Sequence, residues 1–200
     1  MGTERRGRAP ATRTVFTVHE VAFAAGVSVK VVNQAIDRKD IESRVLLRAP
    51  HRPGRGVGVG EAVYLHVRHV LAPEVRPKLY RLVRARDLPE LPRRFEVGNV
   101  VVDLEPAIRE VEARLGLLSR LHERVVTEPD VHGGEPVFQG TRTPVYTIAR
   151  KLALGSTAEE IREDYPHLQE DDLEVARTYA ALYPRRGRPR SGQHSGDVVA

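Results

Sequence analysis

The sequence predicts a mainly α-helical protein with short β-hairpins. It is expected to form two small helix-turn-helix-like domains, winged or plain, joined by an amphipathic helix. Three observations predict this. Two capped helices with a glycine between them fit residues 16–38. A hairpin followed by three short helices fits residues 123–183. Between them, Ile108, Val111, Leu115 and Leu118 recur at helical spacing. The expected boundaries are a disordered basic arm at 1–14, a helix-turn-helix domain at 15–95, a hairpin and linker helix at 96–122, a second domain at 123–183 and a disordered basic tail at 184–200.

The first helix pair carries the strongest local signals. Thr17 and Glu20 stand three apart, the spacing of a capping box in which each side chain accepts from the other's backbone amide. Phe16 before the cap can pack on Val21 as a staple. Gly26 can end the first helix in a left-handed conformation, and Ser28 can cap a second over residues 29–38. Val21, Ala24, Ala25, Val27, Val32 and Ile36 then face inward. Lys30, Val31, Asn33, Gln34 and Arg38 remain on or near the outer face. Asn and Gln suit adenine edges, Lys and Arg suit guanine or phosphate, and Val31 suits a thymine methyl. The residues expected to meet DNA are Ser28, Lys30, Val31, Asn33, Gln34, Arg38 and Lys39, with Arg52 and Arg55 further along. A helical hairpin in an unrelated core would show similar periodicity; the caps and the glycine favour the DNA reading.

Composition narrows the function classes. The chain has no cysteine, which excludes disulfides, thiolate nucleophiles and cysteine-ligated zinc. Its eight histidines are dispersed and no serine sits in a nucleophile elbow, so neither an enzyme nor a cofactor is expected. There is no apolar run of about 18 residues and no signal-peptide pattern, so a soluble cytoplasmic protein away from membranes is expected. Residues 1–124 carry a net +8, residues 125–183 a net −6 and residues 184–200 a net +3. A basic front and an acidic rear point to a polyanion at one end and a different partner at the other.

Between the domains the signals are weaker. Residues 41–47 read as one short strand. The glycine-alternating stretch 50–60 lacks the Gly-Lys-Ser/Thr of a phosphate loop and misses the dinucleotide spacing, so it reads as a loop or wing carrying Arg52 and Arg55 toward phosphate. Residues 61–71 read as a helix with Val63, Val67, Val70 and Leu71 inward. His66 and His69 lie three apart there without a third metal ligand nearby. The next helix opens at Pro73 or Pro77 and runs to about Arg86, with Leu79, Leu82 and Val83 inward. Residues 95–102 read as a hairpin turned by Gly98-Asn99. Asp103 at its end is a carboxylate of the kind that holds metal in PIN-type nucleases, but such a site needs several convergent carboxylates and the sequence places no others beside it. The helix over residues 106–118 suits a linker or a dimer seam.

In the rear, residues 124–126 and 136–138 read as paired strands. Thr143-Pro144 reads as a cap with proline in the first helical position, and Gly155 as the end of that helix. Thr157 and Glu160 form a second capping box. A last helix over residues 173–182 places Leu173, Ala176, Tyr179, Ala180 and Tyr183 at core spacing. Arg142 can pair with an acid of its own fold or reach a partner's carboxylates; the first is favoured.

The run Glu128-Pro129-Asp130-Val131, Gly133-Gly134-Glu135-Pro136-Val137-Phe138-Gln139-Gly140-Thr141-Arg142-Thr143-Pro144-Val145, with the later Leu154-Gly155-Ser156-Thr157 and Asp164-Tyr165-Pro166, resembles the signature of the domain-of-unknown-function 433 family. The front is similar to the helix-turn-helix domain of VapB-type antitoxins that carry this rear domain. The resemblance implies an antitoxin of a type II toxin–antitoxin pair. It would bind and neutralise a VapC-like PIN-fold ribonuclease and repress their shared operon, as a homodimer on double-stranded operator DNA. The tail's Arg186, Arg188 and Arg190 resemble an AT-hook core; they, with Arg142, are the candidate partner contacts. The alternatives are a stand-alone helix-turn-helix regulator and a pure protein-interaction module without a toxin.

Overall fold

The computed structural model describes residues 15–48, 52–128 and 133–185. The architecture is mainly α with short β elements, divided into two units that meet in sequence at Glu123 and Arg124.

The first unit opens with β1 (Val15–Thr17), α1 (Val18–Ala25) and α2 (Val29–Asp37). The capping box forms as expected: Glu20 N donates to Thr17 Oγ1 at 3.3 Å, and Thr17 N donates to Glu20 Oε2 at 2.7 Å. Gly26 takes φ +66 and closes α1, while Ser28 Oγ accepts from Val31 N at 3.3 Å and opens α2. Val21, Ala24, Ala25 and Val32 are buried. Val27 and Ile36, expected inside, are only half-buried; Ala35 takes the inward place beside Val32.

The glycine stretch is a strand, not a loop. Strand β2 (Arg44–Arg48), shorter than the expected 41–47 span at its start, pairs antiparallel with β3 (Arg52–Gly58). β3 also pairs with β1, so it is the central strand of a sheet ordered β1-β3-β2. Glycine is needed at 56 for packing. A methyl group there would collide with Val15 and Leu46, which close over it from the two flanking strands.

Helix α3 (Val59–Val67) starts two residues earlier than expected and tightens into a 3₁₀ turn over Arg68–Val70, leaving Val70 70% exposed instead of inward. α4 (Arg76–Val83) has Pro77 in its first turn and stops short of Arg86, because Arg84 leaves helical geometry at ψ 139 and Ala85 takes φ +59. Leu79 and Val83 are buried and Leu82 is half-buried. The expected hairpin forms between β4 (Arg94–Val97) and β5 (Val100–Asp103), with Val97 opposite Val100 and Gly98 at φ +58.

Helix α5 (Glu105–Arg124) is longer than the sequence indicated. Ile108, Val111, Leu115 and Leu118 are all at most 9% exposed within this single chain. The stripe offered as a dimer seam is therefore already covered by the chain itself. Polar contacts tie α5 to the first helices: Arg114 Nη1 donates to Ala24 O at 3.3 Å, and His122 Nε2 lies 3.0 Å from Glu20 Oε1.

The second unit pairs β6 (Val125–Val126) with β7 (Val137–Phe138) and adds α6 (Val145–Ala153), α7 (Ala158–Asp164) and α8 (Asp172–Leu182). Pro144, not Thr143, is the cap residue of α6, so the helix begins one residue later than expected, and the Thr143 hydroxyl instead lies 2.7 Å from His167 Nε2. The Thr157–Glu160 capping box forms. Leu173 and Ala176 are buried, whereas Tyr179, Ala180 and Tyr183 are half-buried; Val175 and Leu182 complete the inner face. Arg124 makes two bonds to Asp172, at 2.8 and 2.7 Å, and the aspartate is 0% exposed. Arg142 is exposed and has no ion-pair partner among the described residues.

Candidate nucleic-acid interface

Helix α2 separates its faces sharply. Val32 and Ala35 are at most 1% exposed, while Lys30, Gln34, Asp37 and Arg38 are exposed; Val31 and Asn33 are half-buried at the edges. At 100° per residue, Asn33, Asp37, Lys30, Gln34 and Arg38 fall in succession around one side. This is the side available to base edges and phosphates. Ser28 is exposed beneath it, its hydroxyl engaged as the cap. Lys39 follows in a left-handed conformation at φ +61 and is exposed. Its amide bonds Ile36 O at 2.9 Å, which turns the chain away from the helix axis.

The β2–β3 hairpin approaches the same face. Arg55 is half-exposed, but it does not stand free for phosphate as expected. Its Nη1 donates to Asp37 Oδ1 at 2.8 Å. Arg52 begins β3 opposite Arg48. The arm arginines (Arg5, Arg6, Arg8 and Arg13) and the tail arginines (Arg186, Arg188 and Arg190) lie outside the described residues.

Two supports behind the face were not legible from spacing. The Arg114 guanidinium of α5 lies against the α1–α2 turn, so that a side chain at Gly26 would strike it. His66 Nδ1 lies 3.0 Å from Ala25 O, and its Nε2 lies 3.5 Å from Glu110 Oε2. Deeper in the unit, burial pushes the Glu61 carboxyl above its ordinary 4.5 and the Tyr80 hydroxyl up to about 12. Tyr80 accepts from Glu42 N at 2.7 Å and lies 3.5 Å from Glu61 Oε1.

Among the described residues, no group of three or more His, Asp or Glu side chains could hold a metal ion. His69 is exposed and apart from His66's contacts. No helix among the described residues is long and apolar enough to cross a membrane.

The profile of the family described as "Protein of unknown function (DUF433)" matches residues 125–180. Over 192 residues the chain is 33% identical to the uncharacterized protein y4eO of Sinorhizobium fredii, covering 90% of this chain and 87% of that protein. The chain belongs to the DUF433 family. Among solved structures, a DUF433 member protein from Anabaena variabilis is 29% identical, with a TM-score of 0.30, over 38% of this chain and 75% of that one. Rv2018 from Mycobacterium tuberculosis is 16% identical, with a TM-score of 0.34, over 82% and 96% respectively. In this DUF433 chain the family domain coincides with the second unit, while α2 and its hairpin precede it.

Proposed function

We propose that this DUF433 protein binds operator DNA through a helix-turn-helix made by α1 and α2, and that it is the antitoxin of a type II toxin–antitoxin pair. The observation that carries the DNA reading is the outer side of α2, where Lys30, Gln34 and Arg38 are exposed above a buried Val32 and Ala35. Lys and Arg supply phosphate and guanine contacts, Asn33 and Gln34 supply adenine contacts, and the β2–β3 hairpin acts as a wing beside them. The net +8 of residues 1–124 favours a polyanionic partner. The antitoxin half rests on the resemblance of both segments to VapB-type antitoxins, with a VapC-like PIN-fold ribonuclease as the partner. The protein acts in the cytoplasm as a homodimer, because operators are two-fold, and its pairing surface is not the buried stripe of α5.

A mobility-shift assay on the protein's own promoter DNA, with and without the product of the neighbouring gene, tests both halves. The expected shift is specific and weakens steeply with salt as counterions are released. No shift at low salt in either state overturns the DNA reading. A specific shift by a protein that neither binds nor inhibits the neighbouring nuclease leaves a stand-alone regulator.

A further inference from the structure

A cleft of about 680 Å³ opens within the first unit beside α2, bordered by the end of α3, the start of α4 and α5. That volume lies within the roughly 300–1,000 Å³ of small-molecule sites. Val27, Val31 and Ala35 give it an apolar side. Around them stand Arg38, Arg68, Arg76 and Arg114 with two histidines, against only two carboxylates, Asp40 and Glu110.

Both carboxylates are already engaged. Asp40 Oδ2 accepts from Arg68 Nη2 at 3.0 Å. Glu110 pairs with Arg114 and lies 3.5 Å from His66 Nε2. Arg38, Arg76 and His69 are left without a carboxylate partner among the described residues. Arg76 is nonetheless held in position, because its Nε donates to Leu71 O at 3.0 Å. Among the described residues its Nη groups make no hydrogen bond or ion pair. A guanidinium fork fixed at one edge and unpaired at the other matches phosphate geometry, and fixing it beforehand reduces the ordering cost of binding. Apolar contacts beside that charge suit a ligand whose anion is joined to a less polar body.

We infer that this cleft binds a small phosphorylated molecule of the nucleoside monophosphate class, with Arg76 and His69 at the phosphate and Val27 and Val31 against the base. The inference goes beyond DNA recognition and stands without it. Val31, Gln34 and Arg38 belong both to the cleft and to the DNA-facing part of α2. A ligand in the cleft therefore shares side chains with DNA and changes DNA affinity by the same factor by which DNA changes its own.

The test is calorimetric titration of the full-length chain, in the absence of DNA, with adenosine and guanosine 5′-monophosphates, inorganic phosphate and adenosine. The nucleotides are expected to bind, and adenosine to bind about tenfold or more weakly. Arg76→Gln and the exposed His69→Gln should each weaken nucleotide binding by about tenfold, the His69 variant without lowering the melting temperature. The inference is overturned by an absence of heat with both nucleotides, by equal affinity for adenosine and its monophosphate, or by unchanged affinity in both variants. If no nucleotide binds while Arg76→Gln weakens binding to all DNA sequences alike, the phosphate belongs to the DNA backbone and the small-molecule site is rejected. Nucleotide binding by a chain that shifts no DNA upholds the cleft and sinks the repressor reading; a specific DNA shift without nucleotide binding does the reverse.

Discussion

Arg55 on β3 and Asp37 on α2 are joined by a 2.8 Å ion pair, which ties the hairpin to the outer side of α2. Both partners are about half-exposed or more, at 49% and 60%. An exposed pair of this kind is worth about 0–1 kcal/mol, so its weight lies in charge placement. Asp37→Asn removes an anion from the proposed DNA face and frees Arg55 for phosphate. Melting should stay nearly unchanged, DNA affinity should rise, and the salt dependence should steepen by about one phosphate contact. A salt series of mobility shifts measures this; identical slopes would detach Arg55 from the interface.

Side chains on α2 should divide by role. Lys30→Ala and Arg38→Ala are expected to weaken all DNA sequences alike. Asn33→Ala and Gln34→Ala should lose discrimination of about 1–3 kcal/mol for each bidentate base contact removed. Competition between operator and scrambled DNA separates the two behaviours. Equal loss on both DNAs in the Asn33 and Gln34 variants would mean that neither reads bases.

The turn between α1 and α2 is sensitive twice over. Gly26→Ala places a side chain at φ +66, costing roughly 1–2 kcal/mol, and drives its methyl group into the Arg114 guanidinium. Denaturant unfolding should show destabilisation larger than the backbone cost alone. Adding Arg114→Ala should recover part of it, and strict additivity of the two changes would show that the collision is relieved without loss.

Arg124 and Asp172 form a two-bond pair with the aspartate at 0% exposure. Removing one partner strands the other, so Asp172→Ala should destabilise the second unit by about 3–5 kcal/mol. Replacing both residues with apolar side chains should recover most of this. Near-native stability of the single variant, measured by thermal unfolding, would show that water replaces the lost partner.

Glu61 sets a pH dependence. Burial raises its carboxyl above the ordinary 4.5, the larger effect against the hydrogen bonds that lower it. The folded protein therefore holds this proton more tightly than the unfolded chain does. Stability from this group falls as pH rises from about 4.5 through the raised value, and it is greatest below that window. Glu61→Gln should flatten that part of the stability profile and stabilise the protein at neutral pH. A profile unchanged by the substitution would place the dependence on another group. Tyr80, at about 12, should ionise well after an exposed tyrosine in a spectrophotometric titration.

Much of the local structure was legible because its causes lie within four residues. Thr17 with Glu20 and Thr157 with Glu160 are side chains bonding the backbone one turn away. The β4–β5 turn follows from Gly98-Asn99 between apolar runs. The polar side of α2 follows from helical periodicity, and five of its expected DNA contacts (Ser28, Lys30, Gln34, Arg38 and Lys39) are exposed. The glycines of β3 misled because alternation looks like looseness until flanking strands supply the side chains that glycine makes room for.

By itself, the sequence determined that these helices exist, where capping boxes open α1 and α7, and which turns need left-handed residues. These follow from torsional preference and from hydrogen bonds made within a turn or two. The tertiary structure alone decided that β3 lies between β1 and β2, that Arg55 answers Asp37, that Arg114 braces the Gly26 turn, and that the apolar stripe of α5 turns inward. Arg55 and Asp37 are 18 positions apart, Arg114 and Ala24 are 90, and His122 and Glu20 are 102. No residue spacing records a partner at such distances. Only the closed chain brings those charges and carbonyls within bonding reach.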